Sequence, residues 1–214
     1  MMIKVIGFDL DGTLYENDER IQKRVRKKIY EKVSEICGIP IEKSRKLFEK
    51  FYTETSRGSV AIAKITDFYG RKIGERDVVQ EALEEADTSD LITKNYRLVD
   101  MLDRISKSRS IDLLTSSTEI NANRKLELLG IFHNAFEYVL TSEDGSKSNG
   151  EKYQKWMRLR NLGHTEHLYV GDNKKQDIDV PKSLGIRTCF IGKYSNADFQ
   201  IGNILELEQL VQTF

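Results

Sequence analysis

Apolar and polar positions follow two different rhythms along this chain. The run Ile3-Lys4-Val5-Ile6-Gly7-Phe8 is apolar and β-branched and predicts a buried strand. From about Tyr15 to Ser108 no segment reads as a strand. Ile21, Val25, Ile29, Val33 and Ile36 recur at helical spacing among charged residues; Gly38 ends that helix and Pro40 starts the next. Leu47, Phe48, Phe51 and Tyr52 mark a second helix. Ser59 is expected to cap a third, bearing Val60, Ile62, Ile65 and Phe68. Val78, Val79, Ala82 and Leu83 predict a fourth, and Leu98, Val99, Leu102 and Ile105 a fifth.

From Ser110 the rhythm becomes strand, helix, strand. Strands are expected at Ile111–Thr115, Tyr138–Thr141, His167–Gly171 and Thr188–Ile191. Between and after them lie helices over 119–129, 150–162, 178–184 and 204–211. Such alternation implies βαβ units and a parallel sheet covered on both faces. The expected class is therefore α/β: a Rossmann-like core from residues 1–14 and 109–214, with an all-helical insertion over 15–108.

Composition narrows the picture. The 214 residues include 34 Lys+Arg and 34 Asp+Glu, so no net field favours a nucleic-acid polymer or an anionic membrane. No apolar run approaches a membrane span. Met1-Met2-Ile3-Lys4 leads straight into the first strand, which reads as the absence of a signal peptide. Cys37 and Cys189 stand alone, as expected of reduced thiols in a cytoplasmic protein. The oligomeric state is not legible.

The chemistry is carried by Asp9-Leu10-Asp11-Gly12-Thr13, at the mouth of the first strand. Side chains two apart on a strand share a face, so Asp9 and Asp11 are expected to be held close together unless the strand ends between them. Two close anions need a cation or a function to keep them together. In open parallel sheets, ligands bind at the carboxyl ends of strands. Three more strand ends carry polar residues: Thr115-Ser116-Ser117, the loop Ser142 to Lys147, and Gly171-Asp172 with Asp177 five residues on. Lys152 is the alternative to Lys147 as the lysine of this segment, but as the third residue of its helix it is expected to be solvated.

In order and type these four segments resemble the motifs of the haloacid dehalogenase-like hydrolases, most of which are Mg²⁺-dependent phosphatases. The resemblance implies that Asp9 attacks phosphorus and that Asp11 is the acid/base. It implies that Thr115, Ser116 and Lys147 bind the phosphoryl group. Asp9, the Asp11 backbone carbonyl and Asp172 would hold Mg²⁺, with Asp177 behind them or joined through water. The family often has Asn where Ser116 stands and Pro where Ser148 stands. The helical insertion matches the family's cap, closing over the site, with Arg57 the preferred contact to the leaving group. The opening Gly12-Thr13-Leu14-Tyr15 and the cap length are similar to pyrimidine 5′-nucleotidases and phosphoglycolate phosphatase-like members. The expected substrate is a small phosphorylated metabolite, with a nucleoside monophosphate as one candidate. A phosphoryl mutase stays open, as does a non-catalytic binding protein on the same fold. Asp11 argues against a dehalogenase, which lacks that residue.

Overall fold

The computed structural model describes residues 2–16, 18–55, 57–74, 77–194 and 196–214. Two compact units emerge: Met1–Asn17 with Ile92–Phe214, and Asp18–Leu91.

The first unit is built on a sheet of six parallel strands: β1 (Val5–Phe8), β2 (Ser110–Leu114), β3 (Val139–Leu140), β4 (His167–Gly171), β5 (Arg187–Ile191) and β6 (Phe199–Ile201). Their order is β3-β2-β1-β4-β5-β6. The first strand made is thus flanked by β2, with Phe8 opposite Leu113, and by β4, with Phe8 opposite Val170. Strand order reverses beside β1, the point at which open α/β sheets take their ligands. Val5, Ile6 and Phe8 are wholly buried, as a strand covered on both faces requires.

Helices α5 (Tyr96–Ser106), α6 (Glu119–Leu129), α7 (Glu151–Arg160), α8 (Val180–Ser183) and α9 (Leu207–Val211) belong to this unit. A π-helical turn, Lys174–Asp179, leads into α8. The second unit comprises four helices over Glu19–Cys37, Ile41–Thr55, Gly58–Phe68 and Val78–Glu85. Their apolar stripes close on one another around Ile29, Val33, Phe48, Ile62, Ile65 and Ala82.

Three local expectations are corrected. Ser59 does not cap its helix: that helix starts at Gly58, with Arg57 at the cap and no side-chain cap bond. Helix α5 falls with the sheet, not with the helical insertion, because its face of Leu98, Met101, Leu102 and Ile105 is buried and α5 packs on β2. The unit boundaries consequently lie at 17/18 and 91/92, not at 14/15 and 108/109. Strand β6 is an addition, three residues long at the sheet edge.

Candidate active site

The polar strand ends named above gather along the carboxyl-terminal side of the sheet, around its central strands. Asp9 leaves β1 still paired, its N–H donating to the Val170 carbonyl at 2.9 Å. The loop after β3 begins with Thr141 and Asp144 bonding each other's backbone in a capping box, and Lys155 pins Asp144 at 2.6 Å. From that braced loop Lys147 turns inward. Its Nζ donates to Asp9 Oδ1 at 2.6 Å, Asp177 Oδ1 at 2.8 Å and the Tyr169 hydroxyl at 3.0 Å. Burial would strip this ammonium of its proton, but Asp177 and Asp9 raise its pKa above the ordinary value instead.

Asp177 is wholly buried on the π-helical turn. Its Oδ2 accepts from the Asn173 N–H at 2.9 Å, and Asn173 itself caps the turn by accepting from the N–H groups of Lys175 and Gln176. The Asp177 carboxylate lies against Gly171: a Cβ there would fall 2.4 Å from that of Asp177, so the turn can fold back only over glycine. Gly12 makes a similar cradle, with φ of 80° and Asp172 Oδ2 only 2.2 Å from where a Cβ would stand. Carboxylate oxygens of Asp9, Asp172 and Asp177 lie within 4.8 Å of one another.

Three carboxylates therefore face one ammonium. Burial pushes the Asp9 carboxyl up to about 7, with Lys147 opposing and Asp177 and Asp11 adding to the rise. Burial and Asp177 push Asp172 to about 6. Such a set of hard oxygen donors with surplus negative charge fits a divalent cation such as Mg²⁺.

Asp11 points to a different group. Its Oδ1 accepts from Lys125 Nζ at 2.5 Å and from the Tyr15 hydroxyl, and its Oδ2 accepts from the Ser117 hydroxyl at 2.9 Å. Burial would raise this carboxyl, but Lys125, through its charge and its bond, and the hydroxyls of Tyr15 and Ser117 bring it below the usual range. The Asp11 carboxylate is thus not part of the three-acid cluster.

Thr115 follows β2, wholly buried, and its Oγ accepts from the Ser117 N–H at 3.0 Å. Ser116 is exposed, and it is Ser117 that turns toward Asp11. Lys152 is buried, correcting the expectation of a solvated side chain: its Nζ donates to the Thr115 carbonyl. Burial and the nearby Lys147 lower its pKa to about 8. Lys147, not Lys152, is the lysine bonded to Asp9. Arg57 lies exposed in the helical unit.

Sequence reasoning passed over Lys125 and gave Tyr15 and Ser117, though both lie in the motifs quoted above, no role at Asp11. The signal for Lys125 lay in α6: Ala122, Lys125, Leu126 and Leu129 follow the spacing of one buried helical stripe, and a charge within such a stripe demands a partner.

The model of the haloacid dehalogenase-like hydrolase family matches residues 6–191, from β1 through the last residue of β5. The chain belongs to this family. Among curated relatives it is similar to glyceraldehyde 3-phosphate phosphatase of Methanocaldococcus jannaschii, 27% identical over 236 residues, spanning 99% of this chain and 98% of that one. It is also 31% identical over 226 residues to a Clostridium perfringens protein that carries the name of a pyrophosphatase, PpaX, with 99% and 98% covered. With phosphatases among its full-length relatives, this haloacid dehalogenase-like chain is a phosphoric monoester hydrolase. The fold is shared with a phosphatase of the family from Thermococcus onnurineus (TM-score 0.70, 20% identity, 98% of each chain). It is shared too with β-phosphoglucomutase from Clostridium difficile (TM-score 0.61, 20% identity, 99% and 96% covered). No helix among the described residues is long and apolar enough to cross a membrane.

Proposed function

We propose that the protein is a Mg²⁺-dependent phosphatase that hydrolyses a small phosphomonoester through an aspartyl-phosphate on Asp9. The observation that carries this reading is Lys147 joining Asp9 to Asp177 beside Asp172 at the carboxyl ends of β1 and β4.

Asp9 attacks phosphorus in line, and the bond from phosphorus to the leaving oxygen breaks. Asp11 gives that oxygen a proton. It then takes a proton from water as the water attacks phosphorus and the bond to Asp9 breaks, releasing inorganic phosphate. Lys147 holds Asp9 in place and offsets its charge, and Thr115 with Ser116 contacts the phosphoryl oxygens. Asp9, Asp172 and the Asp11 backbone carbonyl would hold Mg²⁺. Asp177, its oxygens engaged by Lys147 and the Asn173 N–H, would act through Lys147 or through water. When bound, the ion supplies positive charge against the transferring phosphoryl group.

The relatives named glyceraldehyde 3-phosphate phosphatases make a triose phosphate the first substrate to try. Nucleoside monophosphates, to which the opening motif and the length of the helical unit point, come next.

The test is phosphate release by the purified protein, with Mg²⁺ or with chelator. The panel is triose phosphates, nucleoside monophosphates, sugar phosphates, phosphoglycolate and pyrophosphate. Turnover that needs Mg²⁺ and vanishes in Asp9→Asn supports the reading. Isomerisation of a sugar phosphate without steady phosphate release would replace it with a mutase, and full activity of Asp9→Asn would remove Asp9 as nucleophile.

A further inference from the structure

We infer that Lys125 is a positioning residue for Asp11. With Tyr15 it anchors one carboxylate oxygen and thereby fixes the other, Oδ2, as the atom that carries the proton. This rests on the reading of Asp11 as the proton carrier.

The directions of the hydrogen bonds follow from their chemistry. An ammonium only donates, so Ser117 Oγ, 3.0 Å from Lys125 Nζ, must accept from it. The single hydroxyl proton of Ser117 is then free to go to Asp11 Oδ2, 2.9 Å away. Lys125 also donates to Oδ1 at 2.5 Å, and Tyr15 donates to that same oxygen. A carboxylate oxygen has two lone-pair sites. Among the described residues, Oδ1 receives two donors and Oδ2 one. Oδ1 is thus saturated by groups that α6 and the start of the chain hold in place, and Oδ2 keeps one acceptor site.

Each anchor has its own support. Tyr15 is brought round by a single bridge between its backbone and that of Asp11. Lys125 sits on the buried stripe of α6, its side chain only 10% exposed, while that of Asp11 keeps 40%. The anchor is buried and the acid is partly exposed, as required of a group that must meet a leaving oxygen and then water. A buried lysine whose two described bonds both serve Asp11 directly or through Ser117 is built for that carboxylate.

Leaving-group dependence tests this. Aryl phosphates with phenols from p-nitrophenol to phenol need progressively more help from a proton donor. In wild type kcat/KM should fall shallowly along the series, and in Asp11→Asn steeply. Lys125→Met should steepen the line too, losing about tenfold with phenyl phosphate and about threefold or less with p-nitrophenyl phosphate, a share of the 10²–10⁴ that general acids supply. Lys125→Arg should restore most of the slope. Tyr15→Phe should shift it less, in the same direction, and carries the test if Lys125→Met fails to fold. Equal losses across the series in Lys125→Met, or in Tyr15→Phe where only that variant folds, with Asp11→Asn still steep, would overturn the positioning role. If Asp11→Asn itself stays shallow, Asp11 is not the acid and the inference falls with that reading.

Discussion

Asp9 and Asp11 stand two residues apart, each bonded to a lysine, yet their carboxyls are driven in opposite directions. Asp9 shares Lys147 with Asp177, and burial wins: its carboxyl is raised to about 7. Asp11 has Lys125 without a competing carboxylate among that lysine's described bonds, plus two hydroxyl donors, and is held below its ordinary range. What differs is the ratio of acids to cations. On the Asp9 side a deficit of positive charge leaves three carboxylates whose chemistry fits a divalent cation. On the Asp11 side the balance is local and complete.

Four expectations would break or sharpen this contrast. The largest separates the two acids by chemistry. Asp9→Asn should lose about 10⁴-fold or more in kcat, as removal of a nucleophile does. Asp11→Asn should lose about 10²–10⁴-fold, the range of a general acid. Equal losses across all substrates for both would erase the division of roles. Next, Lys147→Met strands two buried carboxylates. In chelator it should destabilise the fold by about 3–5 kcal/mol in denaturant titrations, and added Mg²⁺ should recover part of that. A loss near zero would mean that the Asp9 side does not depend on its cation.

The third expectation concerns Lys152, whose pKa is lowered to about 8 by burial and by Lys147, with Asp144, Asp9 and Glu143 opposing. Its ordinary value is 10.5, so between about pH 8 and 10.5 the unfolded chain binds more protons than the folded one. Stability must therefore rise with pH across that window. Wild type should gain about 1–2 kcal/mol relative to Lys152→Met between pH 8 and 10. A flat difference would mean that neither burial nor Lys147 lowers the Lys152 pKa in the folded protein. The smallest effect is Lys125→Met on stability. Its partner's side chain is 40% exposed, so the loss should be about 1 kcal/mol. A loss matching that of Lys147→Met would make the two sides energetically alike.

Much of this could be read from residues alone, for stated reasons. β1 was legible because a strand buried on both faces must be apolar throughout, and Asp9 and Asp11 break that rule at its end. Asp172 and Asp177 were legible because they follow another such strand. The four helices of the second unit announced themselves by unbroken stripes. Charged residues inside apolar patterns were harder. Lys125 and Lys152 each occupy a buried helical position, and lysine on a helix is ordinarily solvated, so both were passed over or misplaced. Strand β6 has three residues and only one neighbour, too little for periodicity to register. Helix α5 has the same amphipathic pattern as the helices before it; only its packing on β2 decides which unit owns it.

The central place of β1 also bears on how the molecule is made. Val5 pairs with Ser110 on one side and with His167 on the other. During synthesis β1 leaves the ribosome before either partner, and it waits for both, with the whole helical unit emerging between it and β2. Until β2 and then β4 arrive, an apolar strand ending in Asp9 and Asp11 has two open edges, each a template for pairing with another chain. The same arrangement that puts the acids at the centre of the sheet leaves β1 to pair only with strands made long after it, and the wait is longest for β4.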